Sequence, residues 1–144
     1  MSKVLLAVDG SEAALRATRT LIVNASLYKE PMEVELITVR SPLPPIGGLS
    51  GVVVNREMID TYYREEGEKA LAASRELLDD AGIRYIARVL VGDIALTIVE
   101  HARTTACPMI CMGTRGMTAI PNLVLGSVSH KVLHLSPLPV LLVP

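Results

Sequence analysis

The sequence predicts an α/β domain built on a parallel sheet. Three observations carry that expectation. Short apolar runs rich in Val, Leu and Ile alternate with segments of helical periodicity. The runs are continuous rather than alternating, as strands covered on both faces are. Turn-forming residues fall between them, at Asp9-Gly10-Ser11, Pro31, Gly82, Gly92-Asp93 and Pro108. With 144 residues, half of them hydrophobic and 20% charged, the chain suits one compact domain over 1–144 rather than a disordered segment.

Lys3 to Val8 reads as the first strand. Ser11 or Asp9 can cap the helix that follows, and Glu12 favours its first turn. Ala14, Leu15, Thr18, Leu21, Ile22 and Ala25 share one face of that helix, which ends before Pro31. Val34 to Val39 is the second strand. The Pro- and Gly-rich stretch Ser41–Gly51 is then a loop, either a lid or binding loop or a solvated excursion. The longest helix runs from about Asn55 to Ala81, with Ile59, Tyr62 or Tyr63, Ala70, Ala73, Leu77 and Ala81 as its buried stripe and Gly82 as its cap. Tyr85 to Val91 is the third strand. Asp93 caps a helix that reaches about Thr105 and turns Ile94, Ile98 and Ala102 inward. Met109 to Met112 is the fourth strand. Ser127 opens the last helix, with Val128, Val132 and Leu133 inward, and Val140 to Val143 is the fifth strand. Five strands and four helices in strict alternation leave few topologies once crossovers are right-handed, and favour a doubly wound, flavodoxin-like or Rossmann-like arrangement.

Composition excludes several function classes. The formal charge is −1, no Lys/Arg run is present, and Phe and Trp are absent, so no nucleic-acid partner is expected. No apolar run approaches the ~18 residues of a membrane span. Val4 to Val8 is too short for the core of a signal peptide, so a cytoplasmic protein is expected. Cys107 and Cys111 read as buried, reduced thiols. Glu65, Glu66 and Glu68 beside Lys69 read as a solvated face. His101, His130 and His134 read as exposed helix positions, since the His130/His134 pair lacks the adjoining Glu of a zinc helix. No nucleophile–base arrangement stands out by spacing.

One stretch has chemical potential. Met112-Gly113-Thr114-Arg115-Gly116 follows an apolar run, and Gly126-Ser127-Val128 opens a helix, giving Gly-x2-Gly-x9-Gly-Ser. Glycines admit close approach of a ligand, and a helix starting near Ser127 offers free N–H groups and the positive end of its dipole. Together these form a cradle for an anion such as phosphate; the alternative is a loop that merely turns the chain. Ligands of open parallel sheets bind beyond the carboxyl ends of the strands, where strand order reverses. If the order is 3-2-1-4-5, strands one and four flank that point and Asp9 converges with Gly113. A carboxylate repels phosphate, so Asp9 would meet a ribose hydroxyl, a base nitrogen or a metal, or would cap its helix.

The chain resembles the universal stress proteins of the UspA family. The resemblance covers the whole chain and rests on Val8-Asp9-Gly10-Ser11-Glu12, on Met112-Gly113-Thr114-Arg115-Gly116, and on Gly126 to Leu133 continuing through Ser136 to Val143. Gly-x2-Gly-x9-Gly-[Ser/Thr] is the pattern of that family's ATP-binding branch, and it is complete here. The resemblance implies a single Rossmann-like domain of the adenine nucleotide alpha hydrolase-like kind, with sheet order 3-2-1-4-5 and helices on both faces. It implies ATP, or AMP or ADP in its place, with its phosphates over Gly113, Gly116, Gly126 and Ser127 and with Mg or Mn carried on the phosphates. Asp9 and the backbone at Val39 would hold the adenosine, Val8 and Met112 would line the site, and Val128 and Ser129 would add contacts. Arg115 would approach a phosphate or remain an ordinary loop residue. A homodimer is implied as well, and the short apolar edge strand Val140–Val143 suits that seam. The role implied is a nucleotide-dependent stress-response regulator. The alternatives are a slow ATPase or nucleotide phosphohydrolase, an AMP sensor, or an interaction module without nucleotide. One departure is Pro108 after Cys107, where the family often opens the fourth strand with Asp.

Overall fold

The computed structural model describes residues 2–43, 55–116 and 125–144. Most of the Ser41–Gly51 loop, and residues 117–124 between the glycine pairs, lie outside the described residues. The elements run β1 (Ser2–Ala7), α1 (Glu12–Asn24), β2 (Met32–Arg40), α2 (Arg56–Asp80), β3 (Arg84–Val91), α3 (Ile94–Thr104), β4 (Ile110–Gly113), α4 (Ser127–Leu135) and β5 (Val140–Val143), with a short 3-10 turn at Ala25–Leu27. Every strand pair is parallel and the sheet order is β3-β2-β1-β4-β5. The expected α/β class and strand order are both present.

Strand geometry explains the unbroken apolar runs. Successive side chains point to opposite faces. Val4, Leu6, Val34, Leu36 and Cys111 therefore enter one layer with Ala14, Ala17 and Leu21 of α1 and Leu71 and Leu78 of α2. Leu5, Ala7, Ile37, Ile110 and Met112 enter the other, against Ala95, Ile98, Val99 and Ala102 of α3 and Val132 of α4. Each fully buried Leu or Ile contributes about 1.5–3 kcal/mol of hydrophobic stabilisation.

The helix ends follow side-chain chemistry. Ser11 Oγ accepts from Ala14 N–H at 3.2 Å, Asn55 Oδ1 from Met58 N–H at 2.8 Å, and Asp93 Oδ1 from Leu96 N–H at 3.0 Å. Gly82 ends α2 with φ +66°, while its N–H reaches Asp79 O and the Ile83 N–H reaches Leu78 O, both at 3.0 Å. This is the Schellman pattern. The end of α3 repeats it with the N–H groups of Ala106 and Cys107 on Arg103 O and Ala102 O, but Ala106 occupies the left-handed seat, φ 57°. Pro108 follows, as a helix stop should.

Several expected faces shift. The buried stripe of α2 is Gly67, Ala70, Leu71, Ser74 and Leu78, while Ala73 and Ala81 are exposed and Leu77 only partly covered. Small and polar residues hold this face because the backbones lie close. A Cβ on Gly67 would stand 2.4 Å from Val89, and the hydroxyls of Ser74 and Thr18 meet at 2.9 Å. Leu133, expected inward, is exposed. His101, expected exposed, has a side chain only 14% accessible, and its Nε2 lies 3.2 Å from Glu35 Oε2. Glu35 is buried mid-strand and also faces Arg88 Nε at 3.6 Å. A carboxylate in that setting needs partners, and α3 and β3 supply them.

Cys107 and Cys111 are both buried and free. Burial pushes the Cys111 thiol up to about 12 and raises that of Cys107 as well.

Two outcomes follow from these observations. Ala106→Gly relieves a left-handed alanine worth about 1–2 kcal/mol and gives back part of it to unfolded-chain entropy. A net gain of about 0.5–1 kcal/mol is expected in urea unfolding, and a loss of stability would contradict the strain. At pH 8 a thiol with a value near 12 is about one part in ten thousand thiolate. Cys111 should therefore resist a thiol-specific reagent in the native protein and react promptly once the chain is unfolded in denaturant; rapid native labelling would contradict its burial.

Candidate functional site

β1 and β4 lie side by side, with Ala7 opposite Met112. The chain leaves them for opposite flanks of the sheet, which opens a crevice at their carboxyl ends. Val8 is buried on one wall and donates its N–H to Ile37 O at 2.9 Å. Met112 on the other wall is buried too, its side chain in the α3–α4 layer.

Asp9 follows directly. Its Oδ1 accepts the Ser11 N–H at 2.9 Å, bracing the turn, while Ser11 caps α1. Gly10 takes φ +84° because α2 presses on this loop: a Cβ there would lie 3.3 Å from Ala70 Cα. The other Asp9 oxygen faces the glycine stretch, since a Cβ on Gly116 would stand 2.9 Å from Oδ2. Asp9 thus meets Gly116, and the register that sets Ala7 opposite Met112 brings its turn beside the end of β4, where Gly113 lies. The Cα of Gly113 faces α1, where a Cβ would come within 2.9 Å of the Ala13 backbone. The first turn of α1 lies directly on the end of β4, and that contact claims the glycine. Ala13 carries no mark in the sequence beyond its small size.

The two ends of the glycine stretch touch. Gly126 N–H donates to Thr114 O at 2.5 Å, and a Cβ on Gly126 would meet Thr114 O at 3.3 Å and Arg115 Cα at 3.5 Å. Thr114 N–H in turn donates to Val143 O at 2.9 Å, tying the loop to the end of β5. Gly126 is the N-cap of α4 and offers no side-chain bond. The N–H groups of Ser127, Val128 and Ser129 are therefore those a helix leaves without an internal partner, and they sit at its positive end. Ser127 is exposed and Val128 partly buried. Ser129 is buried, and its hydroxyl donates to Gly113 O at 2.8 Å, so only its backbone faces outward chemistry. Arg115 is partly buried at the rim and Gly116 is exposed.

Val39 closes the site on the third side. Ile37 turns its carbonyl to β1, and the β1–β2 ladder ends at Ala7 and Ile37. Amides of a strand alternate in direction, so Val39 directs its N–H and C=O the same way, past the end of β1. A donor and an acceptor thus point into the mouth of the crevice. The arrangement combines anion donors on α4, a carboxylate acceptor on Asp9 and an amide pair on Val39. His130 and His134 are exposed on α4, away from any cluster of ligating side chains among the described residues. No helix among them is long and apolar enough to cross a membrane.

Residues 1–144 match the family model described as the universal stress protein family. The universal stress protein YxiE of Bacillus subtilis is 32% identical over 147 residues, covering 99% of this chain and 98% of that one. The solved structure of MJ0577 from Methanocaldococcus jannaschii superposes with a TM-score of 0.81 at 26% identity, covering 99% of this chain and 94% of that one. The universal stress protein of Archaeoglobus fulgidus in complex with dAMP has a TM-score of 0.63 at 24% identity over 100% of this chain and 98% of that one.

The glycine geometry separates two roles by measurement. Gly113→Ala overpacks the α1–β4 contact and should lower stability by about 1–3 kcal/mol in denaturant unfolding. Gly116→Ala is exposed, meets only a carboxylate tip, and should leave the midpoint nearly unchanged. Equal losses at the two positions would contradict this division.

Proposed function

The chain belongs to the universal stress protein family, and we propose that it is one such domain that binds an adenine nucleotide, ATP, and acts as a nucleotide-dependent regulator of stress physiology in the cytoplasm. The observation that carries the proposal is the meeting of Gly116 and Gly126 at the uncapped start of α4, opposite Asp9. Phosphate oxygens accept from the N–H groups of Ser127, Val128 and Ser129 and from the Gly113–Gly116 backbone, with the Ser127 hydroxyl and Arg115 at the rim. Charge-assisted bonds of this kind contribute roughly 1.5–3 kcal/mol each before desolvation. Asp9 Oδ2 accepts from a ribose hydroxyl, which keeps the carboxylate off the phosphates. The Val39 N–H and C=O read the donor and acceptor edge of the base, between walls formed by Val8 and Met112. A Mg or Mn ion on the phosphates would offset charge that the backbone alone does not meet. The dAMP held by the Archaeoglobus protein supports the nucleotide class.

Binding rather than turnover is the favoured reading. Asp9 is the carboxylate that the geometry brings to the glycine loop, and one of its oxygens is already committed to Ser11. A second copy is proposed to join through β5, whose Val140, Leu141 and Leu142 are only partly covered in the single chain.

Nucleotide released by denaturing the freshly purified protein, identified by mass spectrometry, tests the ligand, and calorimetry tests the site. ATP at about one per chain is expected, and Gly116→Val should weaken binding at least tenfold while the fold is kept. AMP in place of ATP would move the reading to an adenylate sensor. An empty protein that ignores added adenine nucleotides, or a Gly116→Val variant that binds as tightly as the native chain, would overturn the proposal.

A further inference from the structure

The two edges of the sheet differ in length and charge. β5 is four residues long, Val140–Val143, and uncharged, whereas β3 is eight residues long and reads Arg-Tyr-Ile-Ala-Arg-Val-Leu-Val. Neither Pro nor Gly interrupts β3, so the charge of Arg84 and Arg88, rather than a break in the strand, is the edge-protecting device it carries. The direction of its amides is fixed by the ladder. Gly92 N–H donates to Arg40 O at 3.0 Å, which sets the even-numbered residues of this segment toward β2. The N–H and C=O groups of Tyr85, Ala87, Val89 and Val91 therefore point outward from the sheet.

The side chains flanking that row are polarised. Tyr85, Ala87 and Val89 pack into the layer under α2. Arg84, Ile86 and Arg88 lie on the opposite face and are all exposed, Ile86 at 42%. Arg88 is held by Glu35 only at 3.6 Å and keeps about half its side chain in solvent. Arg84 has no ion pair among the described residues. β3 contains no carboxylate.

From this we infer that the β3 edge docks an extended, acid-rich segment of another protein, which adds as a sixth strand and sets carboxylates against Arg84 and Arg88 on either side of Ile86. Backbone pairing supplies affinity and the alternate side chains supply selectivity. Charge decides the occupant. A second copy paired antiparallel through β3 would bring four arginines to one face of the two edge strands, while the carboxylates of that face, Glu33 and Glu35, lie one strand inward on β2, and like charges on neighbouring strands oppose pairing. An acidic strand meets the same face with opposite charge, and exposed arginine favours bidentate carboxylate contact.

The test titrates the isotope-labelled protein with an acetylated, amidated peptide of about ten residues, alternating glutamate and threonine, and follows backbone amide shifts. Saturable shifts centred on Tyr85, Ala87, Val89 and Val91 are expected, while the same peptide with lysine for glutamate should bind at least tenfold more weakly. Ala87→Pro removes an outward N–H and spares the ladder to β2, so it should weaken binding at least tenfold. The variant Arg84→Glu leaves the edge amides and the Arg88–Glu35 contact intact and should lose at least threefold of the preference for the glutamate peptide, which keeps the test decisive if the proline variant fails to fold. No saturable shift by about 1 mM, the range of weak contacts, would overturn the inference. So would equal affinity for the two peptides or shifts confined to β5. None of these readouts involves nucleotide, so the result stands apart from the proposed function.

Discussion

Gly113 lets the first turn of α1 rest on the end of β4, with the Ala13 backbone 2.9 Å from where a side chain would begin. The carboxyl end of the sheet depends on that approach. It draws the Asp9–Ser11 turn down beside β4, so Asp9 and Gly116 meet across the crevice. It also fixes the direction in which the chain leaves β4, and three hydrogen bonds then hold the exit: Thr114 to Val143, Gly126 to Thr114, and the Ser129 hydroxyl to Gly113. β5, α4 and the loop are thereby tied to one short strand. A larger residue at 113 would move all of them together, because packed interiors shift as units rather than yield locally.

The same economy of space shapes the far side of the sheet. Gly67 allows α2 to approach Val89, and Ala70 allows it to cover Gly10. The first contact sets the α2–β3 spacing, and the second presses on the turn that carries Asp9. α2 thus supports the site without contributing a polar group to it. On the other face Glu35 sits in the sheet among apolar neighbours, held by His101 and Arg88. Buried ionic contacts of this type add little net stability, yet they are costly to leave half made. They fix α3 over β2, one strand away from the crevice.

Much of this was legible in the residues. Continuous apolar strands, turn residues at each boundary and recognisable cap residues gave five strands and four helices close to their observed limits. The failures share a cause. Hydrophobic periodicity marks large apolar side chains, but the buried face of α2 is built from Gly67, Ala70 and Ser74, where closeness rather than apolarity is the constraint. Leu133 looked inward by spacing, yet α4 is nine residues long and buries only Ser129 and Val132. His101 looked solvated because its partner, Glu35, lies sixty-six residues away on another element. The approach of Asp9 to Gly116 was not legible for the same reason, since contact across a crevice depends on where α1 lands, and a sequence does not write that down locally. The sequence places the end of α3 at about Thr105 and it lies at Thr104, but that alanine fills the left-handed seat there was not legible, since Gly normally marks it.

The helix starts carry the last step. α1, α2 and α3 begin with Ser11, Asn55 and Asp93, each accepting from the third residue on. α4 begins with Gly126, which caps nothing. Against Ser or Asn, glycine at this position costs only a few tenths of a kcal/mol, so the departure is cheap. Two constraints select it. Space is short, because a Cβ would meet Thr114 O at 3.3 Å and crowd Arg115 and Gly116. The proposed nucleotide site would add the second, because a capping oxygen would occupy the donors that a phosphate needs. Among the described residues, the α-helix without a side-chain cap is also the one whose start meets the glycine loop opposite Asp9. Glycine is an accepted N-cap, and here the helix start that leaves its amides without a side-chain partner coincides with the candidate site.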